Sequence, residues 1–107
     1  EHSSDITLRV YNTLVKNLDI SGLSSNIVQL RAYNCPDLEN INLDGCSRLY
    51  NIYVYNNPIL KSLDITECRD YGVNLRLYGC PECESLTLIE WQLSSWSVDD
   101  HIEWIYE

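Results

Sequence analysis

Several things that most function classes need are missing from this chain. Its 107 residues include no Met, not even at position 1. That reads as a processed or trimmed chain, with any signal peptide or lipid anchor lying upstream of Glu1. Basic residues are scarce. Seven Lys and Arg face sixteen Asp and Glu, a formal charge of −9, which argues against non-specific binding to nucleic acid or to an anionic membrane. No apolar run approaches the roughly 20 residues that a membrane-crossing helix needs, so no transmembrane segment is expected in this chain. The five cysteines are odd in number, which excludes a fully paired disulfide framework within one chain. A Ser-His-Asp spacing, a Gly-rich phosphate loop and a His-x-x-x-His pair are also missing, so no enzyme, no metal and no cofactor is expected.

What is present is ordinary in bulk and unusual in order. Apolar residues make up 45% and charged residues 21%, as in a single globular domain large enough for a real core. Laid on itself, the chain repeats. Leu30-Arg31-Ala32-Tyr33-Asn34-Cys35-Pro36 returns as Ile52-Tyr53-Val54-Tyr55-Asn56-Asn57-Pro58, and again as Leu75-Arg76-Leu77-Tyr78-Gly79-Cys80-Pro81. The spacings are 22 and 23 residues, and all three prolines fall on one slot. An earlier copy without the proline, Leu8-Arg9-Val10-Tyr11-Asn12-Thr13, lies 22 residues upstream.

A second series runs between these copies: Leu18-Asp19-Ile20-Ser21-Gly22, Ile41-Asn42-Leu43-Asp44-Gly45, Leu63-Asp64-Ile65-Thr66-Glu67 and Leu86-Thr87-Leu88. Both series share an apolar-x-apolar grammar. Leu38-x-x-Ile41-x-Leu43-x-x-Cys46 and Leu60-x-x-Leu63-x-Ile65-x-x-Cys68 fit the leucine-rich-repeat pattern, including its Asn-or-Cys position.

On these motifs the chain resembles bacterial leucine-rich-repeat proteins with short nested repeats of about 21–22 residues, over roughly residues 6–90. It departs from their commonest form in having Cys where Asn is usual and in lacking a recognisable amino-terminal cap. The resemblance implies a secreted or surface-exposed protein of adhesion or recognition, outside the cell or on its surface. A lipid anchor attached upstream is one form this could take.

The expected fold is a mainly β solenoid of about four right-handed turns, with short parallel strands in ladders and a Trp-rich carboxy-terminal cap. It forms a single domain over 1–107, with repeats over 6–90 and the cap over 91–107. Alternation along each strand sends Leu8, Val10, Leu30, Ala32, Ile52, Val54, Leu75 and Leu77 inward in the first series. In the second series Leu18, Ile20, Ile41, Leu43, Leu63, Ile65, Leu86 and Leu88 do the same. No turn can bury these residues alone, so stability must come from stacking. Two strand segments per turn point to two parallel ladders; a horseshoe with one ladder and irregular backs is the alternative.

The repeat gives every cysteine a seat. Cys35 and Cys80 share a slot with Asn57 and Thr13, Cys46 and Cys68 share the equivalent slot of the second series, and Cys83 takes the place of Leu38 and Leu60. Cys80-Pro81-Glu82-Cys83 could be read as a metal or redox motif. Without a second pair or nearby His, seats inside the fold explain it better. Cys46 and Cys68 stack close enough for a strained disulfide, with free buried thiols the preferred reading.

The outward positions separate two faces. Arg9, Arg31, Tyr53 and Arg76 form one column, and Tyr11, Tyr33, Tyr55 and Tyr78 the column beside it. The second series shows Asp19, Asn42, Asp64 and Thr87 instead. Tyr and Arg are favoured at recognition hot spots, so the eight residues of the first face are the candidate binding site for a protein or glycan ligand. The competing reading is that in-register tyrosines and Arg-over-Tyr contacts only stabilise the ladder; the two are compatible.

After residue 90 the repeat is no longer legible, and all three tryptophans fall in the last 17 residues. Ser97-Val98-Asp99-Asp100 reads as a helix N-cap, with Val98, Ile102 and Ile105 as a short helical stripe. His101 with Asp99, Asp100 and Glu103 reads as a solvated cap surface. At the other end, Glu1–Asp5 reads as a frayed linker and the strand from Ile6 as an uncovered edge. End-to-end self-association is therefore the second candidate role, that of a spacer or dimerisation module.

Overall fold

The computed structural model describes residues 5–21 and 26–107. The linker expected over Glu1–Asp5 therefore lies, apart from Asp5, outside the described residues, and so does Gly22. The chain is a β-solenoid of about four turns built from parallel strands, with no helix among the described residues. The first ladder is one five-stranded sheet in the order β1 (Ile6–Tyr11), β3 (Ile27–Tyr33), β5 (Asn51–Tyr55), β7 (Val73–Tyr78), β9 (Leu93–Val98). The second ladder lies between these strands in sequence. It comprises β2 (Asn17–Asp19) paired with β4 (Asn40–Asn42), and β6 (Ser62–Asp64), β8 (Ser85–Leu88) and β10 (Glu103–Tyr106) in a separate three-stranded sheet. Two ladders form rather than one.

The register follows the repeat. Leu8, Leu30, Ile52 and Leu75 are partners in successive strands, as are Val10, Ala32, Val54 and Leu77. In the interior turns these residues are essentially without exposure, from 0 to 1%. Leu8, Val10 and Leu18 of the first turn are only partly buried, because nothing described lies beyond them.

The first four strands of the first ladder, β1, β3, β5 and β7, end the same way. Asn12, Asn34, Asn56 and Gly79 occupy one slot, with φ of 52°, 55°, 57° and 65°. Only Gly and, among side-chain-bearing residues, chiefly Asn and Asp adopt this left-handed conformation readily. After β3, β5, β7 and β9 the chain closes a tight turn, with the N–H of Leu38, Leu60, Cys83 and Ile102 donating to the carbonyl three residues back. The second ladder ends in turns where Asp19, Asn42 and Asp64 side chains accept from the backbone N–H two residues on, at 2.9–3.0 Å; this is the Asx turn.

The polar slot after the first-series strands explains two of the cysteines, Cys35 and Cys80. Asn57 is fully buried; its Nδ2 donates to the Ala32 carbonyl at 3.0 Å and its Oδ1 accepts from the Cys35 N–H at 3.1 Å. Cys35 fills the same slot one turn earlier, its thiol 3.7 Å from the Val10 carbonyl. One turn later the Cys80 N–H donates to Asp99 Oδ2 at 3.3 Å. All five cysteines are buried and free. Burial, the largest cause in each case, pushes the Cys46 and Cys80 thiols up, Cys83 to about 11 and Cys68 to about 12.

The carboxy-terminal helix expected from Ser97-Val98-Asp99-Asp100 is not there. Residues 93–98 and 103–106 are strands that continue both ladders, Trp96 pairing with Leu75 and Trp104 with Leu86. Asp99–Ile102 closes the same turn as Cys80–Cys83, and Ile102 is 5% exposed in the column of Leu38 and Leu60. The four-residue step from Val98 to Ile102 imitates one helical turn, but it spans a tight bend between two strands. Nine residues separate Leu77 from Leu86 in the turn before, and only six separate Val98 from Trp104. The repeat had been shortened, not ended.

Candidate binding face

The eight predicted residues lie together on the outer face of the five-stranded sheet. Tyr11, Tyr33, Tyr55 and Tyr78 form a continuous stack, with centroids 5.2, 5.0 and 5.2 Å apart and planes within 13° of parallel. The spacing is set by the rungs, since parallel strands lie about 4.8 Å apart. Beside the stack, Tyr53 is sandwiched between two guanidiniums. Arg31 Cζ and Arg76 Cζ each lie 5.0 Å from its ring centroid. Arg9 occupies the next rung of the same column, paired with Arg31.

These contacts stabilise the sheet. Three aromatic pairs at about 0.5–1.5 kcal/mol each and two cation–π contacts at about 0.5–1 kcal/mol each are a substantial contribution for one face. They do not account for its charge pattern. Lys16, Arg48 and Lys61 are paired with Glu39, Asp5 and Glu82 at 3.7, 3.1 and 3.8 Å. Arg9, Arg31 and Arg76 have no carboxylate within ion-pair reach among the described residues; away from this face the same holds of Arg69, whose Nε donates to the Thr66 carbonyl. A ladder shaped for stability alone would gain a few tenths of a kcal/mol from acidic neighbours, and sixteen acids were at hand.

Stacking also fixes which parts of each side chain remain usable. Both ring faces of Tyr33 and Tyr55 are covered by neighbouring rings, and both faces of Tyr53 by guanidiniums. The stack therefore offers ring edges and a row of phenol hydroxyls. A stacked guanidinium still has its N–H groups in plane and free to donate. With the Gln29 amide oxygen turned toward it, Arg31 gives Nε and Nη2 to that oxygen at 2.8 and 3.1 Å. This holds the group in place and leaves its other donors free.

Sequence reasoning missed a third column on this face. Asn51 and Asn74 are partners, the Asn74 amide donating to Asn51 Oδ1 at 2.9 Å, and the hydroxyls of Ser94 and Ser95 donate to Asn74 Oδ1 at 3.0 and 2.7 Å. Ser97 continues the Arg column beyond Arg76. Its small side chain leaves a notch lined by Tyr53, Asn74, Leu75, Arg76, Tyr78, Ser95, Trp96 and Ser97. The missing bulk could have been read from Leu93-Ser94-Ser95-Trp96-Ser97 had the fifth rung been recognised.

The opposite face carries Asp19, Asn42 and Asp64 as expected, all exposed. The Ser21 hydroxyl and then its N–H hold the Asp19 carboxyl below its ordinary range. His101 is exposed on the tight bend before β10. Among the described residues no group of three His, Cys, Asp or Glu side chains is arranged to hold a metal ion, and no helix is long and apolar enough to cross a membrane.

Comparison with protein-family models, curated proteins and solved structures finds no match to this chain. What the Arg/Tyr face can do follows from its own chemistry.

Proposed function

We propose that this chain is a non-catalytic recognition module that holds a protein or glycan ligand on the Arg/Tyr face. The observation that carries the reading is three guanidiniums without acidic partners among the described residues, two of them clamped on Tyr53, on a strongly acidic protein. Clamping fixes side chains before the ligand arrives and lowers the ordering cost of binding.

We take the repeat to be of leucine-rich type. Asn57, bonded to one strand carbonyl and one turn N–H, supports this, because satisfying backbone groups between turns is the task of the pattern's Asn-or-Cys position. A secreted or cell-surface location on a bacterium rests on the resemblance to short nested repeats. Trp96 and Trp104 lie in core register on the two last strands and meet edge to face at 5.8 Å, and on this reading they cover the open end of the solenoid.

The test starts from a panel of displayed peptides and immobilised glycans, with the native chain compared against a variant carrying Tyr33→Ser and Tyr55→Ser. Far-UV circular dichroism first establishes that the variant is folded. Ligands captured by the native chain should be lost by the variant; retention of the same ligands at the same affinity removes this face as the site.

End-to-end self-association has a separate observation behind it. β1 and β9 are sheet edges, Leu14 is 75% exposed at one end and Trp96 58% at the other. Sedimentation equilibrium decides this second reading, and a monomer at millimolar concentration eliminates it.

A further inference from the structure

We infer that the ligand of the Arg/Tyr face is an acidic protein segment in polyproline II conformation, lying across the rungs with carboxylates three residues apart on Arg31 and Arg76. This rests on the reading of that face as a binding site and names its occupant.

The first argument is charge. Arg31 and Arg76 are without carboxylate partners among the described residues, and Ser97 beyond Arg76 has a hydroxyl that makes no hydrogen bond there. An anion seated in the notch beside Arg76 meets a charge-assisted donor set. A net charge of −9 opposes a dense polyanion such as nucleic acid, whereas two isolated carboxylates bind within the short range where the guanidiniums dominate.

The second argument is spacing. The two guanidiniums sit on opposite faces of Tyr53, each 5.0 Å from its centroid, which with two rungs of parallel sheet puts them about 10 Å apart. A β-strand places same-side residues about 7 or 13 Å apart, and neither matches. A polyproline II helix has three residues per turn and a 3.1 Å rise, so residues i and i+3 share a side at about 9 Å. Its carbonyls make no internal hydrogen bonds, and the phenol hydroxyls of the tyrosine column supply donors at the rung interval alongside.

The third argument is which ring faces remain open. Flat stacking of a sugar needs an exposed aromatic face; those of Tyr33, Tyr55 and Tyr53 are covered, and the strongly exposed rings of this sheet, Tyr11 and Trp96, stand on its two edge strands rather than between Arg31 and Arg76. Edge-on hydroxyls and in-plane guanidinium N–H groups suit backbone carbonyls and carboxylates better.

The test is a titration of the 15N-labelled chain with the blocked peptide Pro-Glu-Pro-Pro-Glu-Pro, followed through backbone amides and arginine Nε–H signals. The expected result is saturable shifts at Arg31, Arg76 and Ser97, lost when both glutamates of the peptide are replaced by Gln and weakened when they are made adjacent. Arg76→Gln should weaken binding about tenfold, one charge-assisted contact. The Gln peptide keeps the protein intact, so the inference does not depend on how a variant folds. Absence of shifts, equal binding of the Gln peptide, or indifference to spacing overturns it. So does tight binding of a galacturonic acid trisaccharide with the peptide inert, which would assign the face to an acidic glycan. A neutral ligand displaced by Tyr33→Ser with Tyr55→Ser would leave the recognition role standing and refute only this occupant.

Discussion

Replacing Asn57 should destabilise the protein more than any change to the exposed faces. The carboxamide is fully buried, and it alone satisfies the Ala32 carbonyl and the Cys35 N–H with a side-chain partner. Asn57→Ala removes it, leaving the Cys35 N–H without that acceptor and the Ala32 carbonyl, on a residue laddered to Val54, without its side-chain donor. At about 1–3 kcal/mol for the unsatisfied N–H and about 0.5–1.5 kcal/mol for the lost bond to the carbonyl, plus a cost of about 1 kcal/mol for the space vacated, the loss comes to about 3–5 kcal/mol. That is a large share of the 5–15 kcal/mol typical of a domain, and it corresponds to a fall in Tm of roughly 15–30 °C. Asn57→Cys should recover part of the loss, because the fold already accepts Cys35 and Cys80 in this slot. A thiol donates weakly to the Ala32 carbonyl but accepts poorly from the Cys35 N–H, so about half of the deficit should remain. Urea unfolding with m values compared across the three proteins measures this. A loss below about 1 kcal/mol for Asn57→Ala, or a Cys variant no better than Ala, would refute the account of the slot.

Three further outcomes are expected. Gln92 is buried and does the same work in the second ladder, its Nε2 donating to the Ile65 and Cys68 carbonyls at 2.8 and 3.0 Å; Gln92→Ala should lower stability by about 2–4 kcal/mol in the same urea assay, and an unchanged midpoint would count against it. Gly79 has φ +65°, a conformation that Asn12, Asn34 and Asn56 adopt in the same slot and β-branched residues resist; Gly79→Val should therefore cost more than Gly79→Asn, by about 1–2 kcal/mol, as read by thermal unfolding. Burial holds the Cys68 and Cys83 thiols neutral, at about 12 and about 11. The unfolded thiols ionise near 8.5, so their contribution is complete below that pH and is lost as the pH rises through the folded values. Alkylation by iodoacetamide should be negligible at neutral pH in the folded chain and complete in guanidinium, and rapid labelling of Cys68 in the native state would contradict the burial.

The interior of the fold was readable because spacing carries it. Three copies of the same grammar at 22 and 23 residues set the register of Leu30, Ile52 and Leu75 without reference to any coordinate. The columns of the candidate face followed from alternation alone. The last rung was lost because two of the cues changed together: the link between its strands lost three residues, and Trp96 and Trp104 replaced Leu at the core positions. With Val98 and Ile102 four apart, a helix was then the better local match. Gln92 escaped because one additional residue precedes it relative to Cys68, which moved it off the slot. Stacking of the rings within the ladder was legible only as one of two readings of the face. A column of tyrosines implies proximity, but whether they display faces or edges depends on side-chain torsions that alternation does not encode.

The in-register columns described above make the surface a gauge with fixed graduations. A duplication or deletion of one whole repeat would add or remove one Tyr, one column residue and about 4.8 Å of reach, with every buried slot meeting an equivalent neighbour. Copy number could thus retune how long a partner is measured while the chemistry of each mark stays the same. Single substitutions would alter what is read at a mark, and recombination between repeats would alter only the length of the scale.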